Sequence, residues 1–561
     1  MTHLPFFPFE PELAIGTIVE ITPLAAKVNL PLAGKAEGAT FYGNRYGRGE
    51  VGEFVFIEAS KYAILGRVTL VKLPERERLT VEPTLGRQVE SHPIGTVQLL
   101  STLVLSDGEV LGGISEFPRI GASVFSAHPE LIKWIAEYAK RDKGPSPLKL
   151  NFAHISEKDQ TQIAITPEKL FGRHCAVLGS TGGGKSWTLA KILETLEDTH
   201  AKAVLIDATG EYHTLEGAVT HVHFDAHPQL PATSTEVVVP YNCITEHELF
   251  VMFRPSLQSQ GPKLRNAMKS LKLAKLDPTL TENGFIKKEN QPKAPFEAAY
   301  KKHIAKIDNE MADFEISKLT SQIDQECCYL NAASWGKIDQ KEQGYCVSLL
   351  NRIESMIGAS ELACIFKPEN RASVFDAIGQ FLGDPTKRVF RISMSHLPFA
   401  YDTREIVANA IGKHLLKVAR KGGFKTRPLV VLLDEAHNFM SKSIGDELSK
   451  YSLDAFESIA REGRKFCLTI CLATQRPRDL PDSVLSQMGT MIVHRLTGNN
   501  DREAVERASG DVDRSAASFL PTLGPGEAIL VGTDFPFPLT IKIIPPKLKP
   551  DSKGPDYQSL W

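Results

Sequence analysis

Gly179-Ser180-Thr181-Gly182-Gly183-Gly184-Lys185-Ser186 decides how this chain of 561 residues is read. The octet fits G-x-x-x-x-G-K-[ST] at every fixed position, the pattern of a loop that cradles nucleotide phosphates. Before it, Cys175-Ala176-Val177-Leu178 is a short apolar run suited to a buried parallel strand. After it, Leu189, Ile192 and Leu193 fall on one helical face between Trp187 and Thr195. Strand, glycine-rich loop and helix is the context the motif requires. The glycines let backbone N–H groups curl around phosphate oxygens at the positive end of a helix. Lys185 is expected to reach the β/γ-phosphates and the Ser186 hydroxyl to hold Mg²⁺. The octet, with Trp187 after it, implies a site for ATP or GTP.

Leu429-Val430-Val431-Leu432-Leu433-Asp434-Glu435 reads as the second half of that site. A strand buried on both faces is continuously apolar. Its C-terminal end is expected to set Asp434 by the Mg²⁺ and Glu435 by the attacking water. Asp434-Glu435-Ala436-His437 also spells the box of one superfamily 2 helicase group, but no Ser-Ala-Thr motif follows. Leu472-Ala473-Thr474-Gln475-Arg476-Pro477 instead ends the next expected strand, where Thr474 and Gln475 would contact the γ-phosphate or the water. Asp207-Ala208-Thr209-Gly210-Glu211-Tyr212 closes the strand after the loop's helix. Asp207 and Glu211 are both expected to point at the sheet edge where ligands bind in open α/β folds.

Arg461 and Arg464, in Arg461-Glu462-Gly463-Arg464-Lys465, are candidates for an arginine that stabilises γ-phosphate charge at a neighbouring subunit's site. Arg173, at the start of the first strand, is another. A solvated basic helix end is the competing reading for the pair.

The length calls for two or three domains. With 42% hydrophobic residues, 24% charged residues and a net charge of −2, any basic surface must be local, such as the lining of a pore. Neither a signal-like N-terminus nor an apolar run near the roughly 20 residues needed to span a bilayer is present, so a cytoplasmic protein outside the membrane is expected. The eight cysteines lack metal-ligand spacing and read as reduced, mostly buried thiols, Cys467 and Cys471 within one buried strand.

Residues 1–150 read as a small β-barrel with its linker at Gly144-Pro145-Ser146-Pro147. Residues 151–245 and 386–534 alternate strand and helix, as two parts of a parallel α/β core. Between them, 246–385 is a lysine-rich helical insertion whose charge reads as a solvated face rather than a nucleic-acid surface. The tail, 535–561, is an arm that packs on a neighbour or stays mobile. Lys442 is a candidate for a pore loop.

Taken together these residues resemble the HerA-type ATPases, hexameric DNA translocases of the FtsK–HerA group. The likeness runs from Val51–Val55 and Ile64–Val68, which look like the family's HAS barrel, through Arg173–Ser186, Asp207–Tyr212, Leu433–Phe439, Arg461–Phe466 and Ala473–Pro477. It ends in His494-Arg495-Leu496-Thr497, Asn500-Asp501 and Pro525-Gly526-Glu527-Ala528. It implies a RecA-like P-loop core with a helical-bundle insertion behind a HAS-like barrel, a C-terminal arm bracing the next subunit, ATP and Mg²⁺ as cofactors, and a homo-hexamer on double-stranded DNA. A nuclease or other effector would dock on the barrel, in DNA end processing or anti-phage defence. Gln475 matches the family's sensor, and Arg173 and the Arg461/Arg464 pair match its arginines near the nucleotide. The chain departs in Ala208, where many relatives carry proline, and in Cys467, where glycine is common. An ATP-gated scaffold that activates a partner without translocating, and a secretion or conjugation ATPase, stay open as alternatives.

Overall fold

Strand-length runs near the start of the chain pair antiparallel and close on themselves. In the computed structural model, which describes residues 4–33, 39–41, 44–74, 92–137, 148–155, 161–224, 230–368, 371–440, 442–444, 451–509, 514–551 and 557–560, six strands form this barrel. Around it they run Ala14–Ile21, Ala25–Asn29, Ile94–Val104, Tyr62–Lys72, Phe54–Ala59 and Ser123–Ser126, the last pairing back onto the first. Alternation along Ile94–Val104 sends Val97 and Leu99 inward, where they meet Ile18, Val28, Val55, Ile57, Ile64, Val68 and Val124. Each such side chain contributes roughly 1.5–3 kcal/mol by leaving water, and closure leaves no open edge among the six. The expected linker at 144–147 lies outside the described residues.

The chain divides into two compact units, Met1–Thr195 with Thr474–Lys547, and Leu196–Ala473 with Leu548–Trp561. Beside the barrel, the first unit holds six strands in the order Gln162–Ile165, Leu150–His154, Leu539–Ile543, Glu527–Gly532, Thr490–His494 and Cys175–Leu178. The last two run parallel and the others antiparallel. Buried Arg67 of the barrel sits over the Phe519 ring at 4.1 Å and donates to the Thr540 hydroxyl at 2.9 Å.

The second unit is built on parallel strands in the order Leu468–Thr474, Leu429–Leu433, Lys202–Asp207, Val389–Ser393, Val219–His223, Thr235–Val238 and Ala372–Ser373, the unit boundary falling at the last residue of the first of these. Leu429–Leu433, Lys202–Asp207 and Val389–Ser393 are buried throughout, as strands covered on both faces must be. Between Thr235–Val238 and Ala372–Ser373 the chain makes helices, among them Glu246–Phe253, Gln260–Leu276, Ala294–Ile307, Leu319–Gln325 and Gln340–Gly358. One short hairpin, Cys328–Leu330 with Trp335–Ile338, interrupts them.

Two details differ from the sequence reading. Cys471 lies in the buried strand, but Cys467 precedes it, half-buried, with φ 59°. A left-handed conformation costs a side chain roughly 1–2 kcal/mol, a cost that glycine at this position would avoid. Second, Leu539–Ile543 of the tail is a strand in the first unit's sheet.

Candidate nucleotide site

In the first unit, the buried strand Cys175–Leu178 delivers the chain to the glycine loop, and the helix Lys185–Glu197 starts on its lysine. Gly182 and Gly184 hold φ of 76° and 114°, which L side chains rarely adopt. A Cβ on Gly184 would also lie 2.9 Å from the Cα of Gly526. The loop is tied down on several sides. Ser180 donates its N–H and its hydroxyl to the Arg495 carbonyl at 2.9 and 2.8 Å. The Gly526 N–H donates to the Gly183 carbonyl at 3.1 Å, and the Gly179 N–H to the Thr474 carbonyl at 3.3 Å. Thr181 donates its hydroxyl to the side-chain oxygen of Gln475. Thr474 is fully buried, its hydroxyl accepting from the Arg476 N–H at 3.0 Å. Thr474 and Gln475 therefore both adjoin the loop. Ser186 and Trp187 follow on the first helical turn, each half-buried.

His494 opens the stretch His494-Arg495-Leu496-Thr497, and its role is not legible in the sequence. It is fully buried beneath the loop, and burial holds its imidazole down at a pKa of about 4, with the Glu527 carbonyl opposing and the Lys185 charge adding. Its neighbours on the loop are more than three hundred positions away in the chain, so no local pattern points to it.

Arg173 lies elsewhere in the first unit. Its guanidinium donates to the Thr533 hydroxyl at 2.9 Å at the far end of the strand, six residues before Gly179, which is about 20 Å of extended chain.

In the second unit, Leu429–Leu433 ends at Asp434, 1% exposed, whose N–H donates to the Ile206 carbonyl at 3.1 Å. Glu435 is buried too and holds φ 48°, a strained backbone for a residue with a side chain. Such strain gathers at sites where surrounding structure over-determines a functional group. His437 Nδ1 lies 3.3 Å from the Glu435 carboxylate.

Asp207 departs from expectation. Its Oδ2 accepts from Arg391 Nε at 2.7 Å and from the Tyr212 N–H at 3.1 Å, and its Oδ1 from the Gly210 N–H at 2.8 Å. Both partners of the ion pair are fully buried, so Asp207 shapes the turn and does not face a ligand edge. Glu211 follows on that turn, half-buried, its carbonyl accepting from the Asp551 N–H at 2.8 Å. Arg391 also donates to the Gly210 carbonyl at 3.1 Å and lies 3.4 Å from His221 Nδ1. Burial, then the Arg391 charge, push His221 down to about 4. Arg461 is exposed on the helix Ala455–Glu462, 3.4 Å from Glu457, and Arg464 is exposed on the turn after it. Lys442 begins a short strand, Lys442–Ile444.

The loop fits a polyphosphate, because its positive-φ glycines leave backbone amides where side chains would otherwise stand. The hydroxyl of Ser186, on the helix that follows the loop, is a hard oxygen donor of the kind Mg²⁺ takes beside phosphate and water.

The helicase HerA central-domain model matches residues 150–335, and the helicase HerA-like C-terminal model matches 415–535, together more than half of the chain. The chain belongs to the HerA family. It is an ATP-dependent enzyme with a P-loop ATPase fold. A probable DNA double-strand break repair helicase HerA of Methanocaldococcus jannaschii is 26% identical over 409 residues, 71% of this chain and 76% of that one. The DNA double-strand break repair helicase HerA of Saccharolobus solfataricus is 24% identical over 399 residues, 70% and 68% of the two chains. Among solved structures, VirB4 of Thermoanaerobacter pseudethanolicus aligns over 72% of this chain and 98% of its own, at 15% identity and a TM-score of 0.41. The bacterial conjugative coupling protein TrwB aligns over 76% and 92%, at 11% identity and 0.42. No helix among the described residues is long and apolar enough to cross a membrane.

Proposed function

We propose that this chain is the subunit of a ring-shaped, ATP-hydrolysing motor that moves along double-stranded DNA. The observation that carries the reading is the phosphate loop with Thr474 and Gln475 against it, in a chain of the HerA family whose curated relatives are named as DNA double-strand break repair helicases. Lys185 and the loop amides bind the phosphates, and Ser186 and Asp434 hold Mg²⁺. When bound, the metal neutralises charge that builds on the phosphate oxygens. Glu435 orients the attacking water and takes its proton, and Gln475 senses the γ-phosphate. Thr181 and Trp187 flank the nucleotide, and Glu211 contributes from its turn. Because Arg173 is anchored at Thr533, away from its own loop, it serves a neighbour's site, as does Arg461 or Arg464. That division of labour favours a closed homo-hexamer. The barrel is the docking surface for a nuclease or other effector, in end processing or phage defence.

DNA-stimulated ATP hydrolysis, abolished in Lys185→Ala and in Glu435→Gln, is the expected result. Hydrolysis indifferent to DNA but raised by a partner protein would overturn the motor in favour of a switchable scaffold.

A further inference from the structure

His494 closes the strand Thr490–His494 directly beneath the phosphate loop. A Cβ on Gly179 would lie 2.6 Å from His494 Cβ, one on Gly183 3.3 Å from the same atom, and one on Gly184 3.3 Å from its Cε1. Three loop glycines thus rest against one histidine side chain, Gly179 and Gly183 on its Cβ and Gly184 on its ring. Both ring nitrogens are engaged. Nδ1 lies 2.8 Å from the Glu527 carbonyl, and Nε2 lies 2.7 Å from the Thr188 hydroxyl. A carbonyl can only accept, so Nδ1 carries the proton. In the neutral ring Nε2 then accepts from the Thr188 hydroxyl at the shorter distance, that hydroxyl also lying 3.1 Å from the Gly184 carbonyl, which accepts from the Thr188 N–H at 2.9 Å. The ring joins three elements. One is the loop's own helix, through Thr188. Another is the antiparallel strand Glu527–Gly532, through Glu527, whose preceding residue donates to Gly183. The third is the strand that carries the histidine.

We infer that His494 is a positioning residue for phosphate binding: its imidazole, keyed between the Thr188 hydroxyl and the Glu527 carbonyl, fixes the backbone of Gly179, Gly183 and Gly184 in the shape that receives the phosphates. The inference rests on the nucleotide reading of this loop. Because the amides must be aimed before ligand arrives, loosening the ring lowers affinity for triphosphate without touching a group that meets it.

The test compares His494→Phe, which keeps a ring and loses both polar links, His494→Gln, whose amide reaches the Thr188 position, and Thr188→Val, which keeps shape without the hydroxyl. Binding of a fluorescent ATP analogue to the full-length protein is measured alongside the thermal unfolding midpoint. His494→Phe and Thr188→Val are each expected to weaken the analogue about 10-fold. The double variant should be no weaker than either single one, as a shared link requires, and His494→Gln should recover part of the loss. Multiplicative losses in the double variant, or wild-type affinity in His494→Phe, overturn the inference. Where either substitution lowers the midpoint, comparison of His494→Gln with His494→Phe at equal midpoint keeps the question decidable: equal affinities in that pair reject the polar link. Lys185→Ala separates the two levels. Binding that survives in Lys185→Ala refutes the nucleotide reading itself, whereas binding lost there and unchanged in His494→Phe refutes only the positioning role.

Discussion

The Thr181 hydroxyl in the phosphate loop donates to the side-chain oxygen of Gln475, at the end of the strand beside it. The contact fixes the Gln475 side chain against the loop that receives the phosphates, and in the proposed site this side chain senses the γ-phosphate. Gln475→Ala is therefore expected to lower kcat about 10- to 100-fold, the range for one preorganised donor, while affinity for a non-hydrolysable ATP analogue changes less than threefold. Steady-state hydrolysis and an equilibrium titration on the same preparation separate the two. A loss confined to affinity would show that Gln475 only props the loop.

A trans-acting arginine makes a prediction about mixtures. Arg461→Ala and Arg464→Ala are each assayed alone and then mixed with Glu435→Gln. For the arginine that completes a neighbour's site, the single variant binds ATP but is about 10³-fold slow. Mixing restores activity, because its intact Glu435 then meets the partner variant's intact arginine. The other arginine, held to the solvated helix end, gives near-normal rates alone. Mixtures that stay inactive for both would reject either as a trans donor.

Asp207 and Arg391 form a fully buried pair, so removing one partner strands the other's charge. Arg391→Met is expected to destabilise the protein by about 3–5 kcal/mol in denaturant unfolding, and Asp207→Asn with Arg391→Met by less than Arg391→Met alone. Equal losses would mean that the ion pair is not what the arginine supplies.

His221 and His494 are both held at a pKa of about 4, below the ordinary histidine value, chiefly by burial. Between about pH 6.5 and 4 the unfolded chain therefore binds protons that the folded chain refuses. Stability from these two groups is fully present above pH 6.5 and is lost as pH falls toward 4, by up to a few kcal/mol each. Thermal unfolding between pH 7 and 4.5 should show the fall, and His221→Gln should flatten part of it. A midpoint unchanged down to pH 4.5 would contradict the burial of these rings.

The phosphate loop, the acidic strand end at Asp434-Glu435 and the polar strand end at Thr474-Gln475 were legible because each is a local pattern. A few adjacent residues set backbone freedom, apolar burial and the change from strand to loop, and the motif records all three. The barrel was legible for the same reason, as apolar runs of strand length broken by glycine and proline. Asp207 was misread because its partner, Arg391, lies 184 positions on and reaches it only when Lys202–Asp207 and Val389–Ser393 pair in parallel. The task of His494 was not legible, since nothing nearby in sequence shows what packs above its ring.

The sequence by itself determined the family, the phosphate-binding octet and the alternation of strands that carries it, because these follow from side-chain type and spacing over a few residues. Tertiary structure alone decided which buried polar groups support that octet. His494 beneath the loop, Gly526 against Gly184 and Arg173 anchored at Thr533 all depend on strand order and register, which join residues hundreds of positions apart.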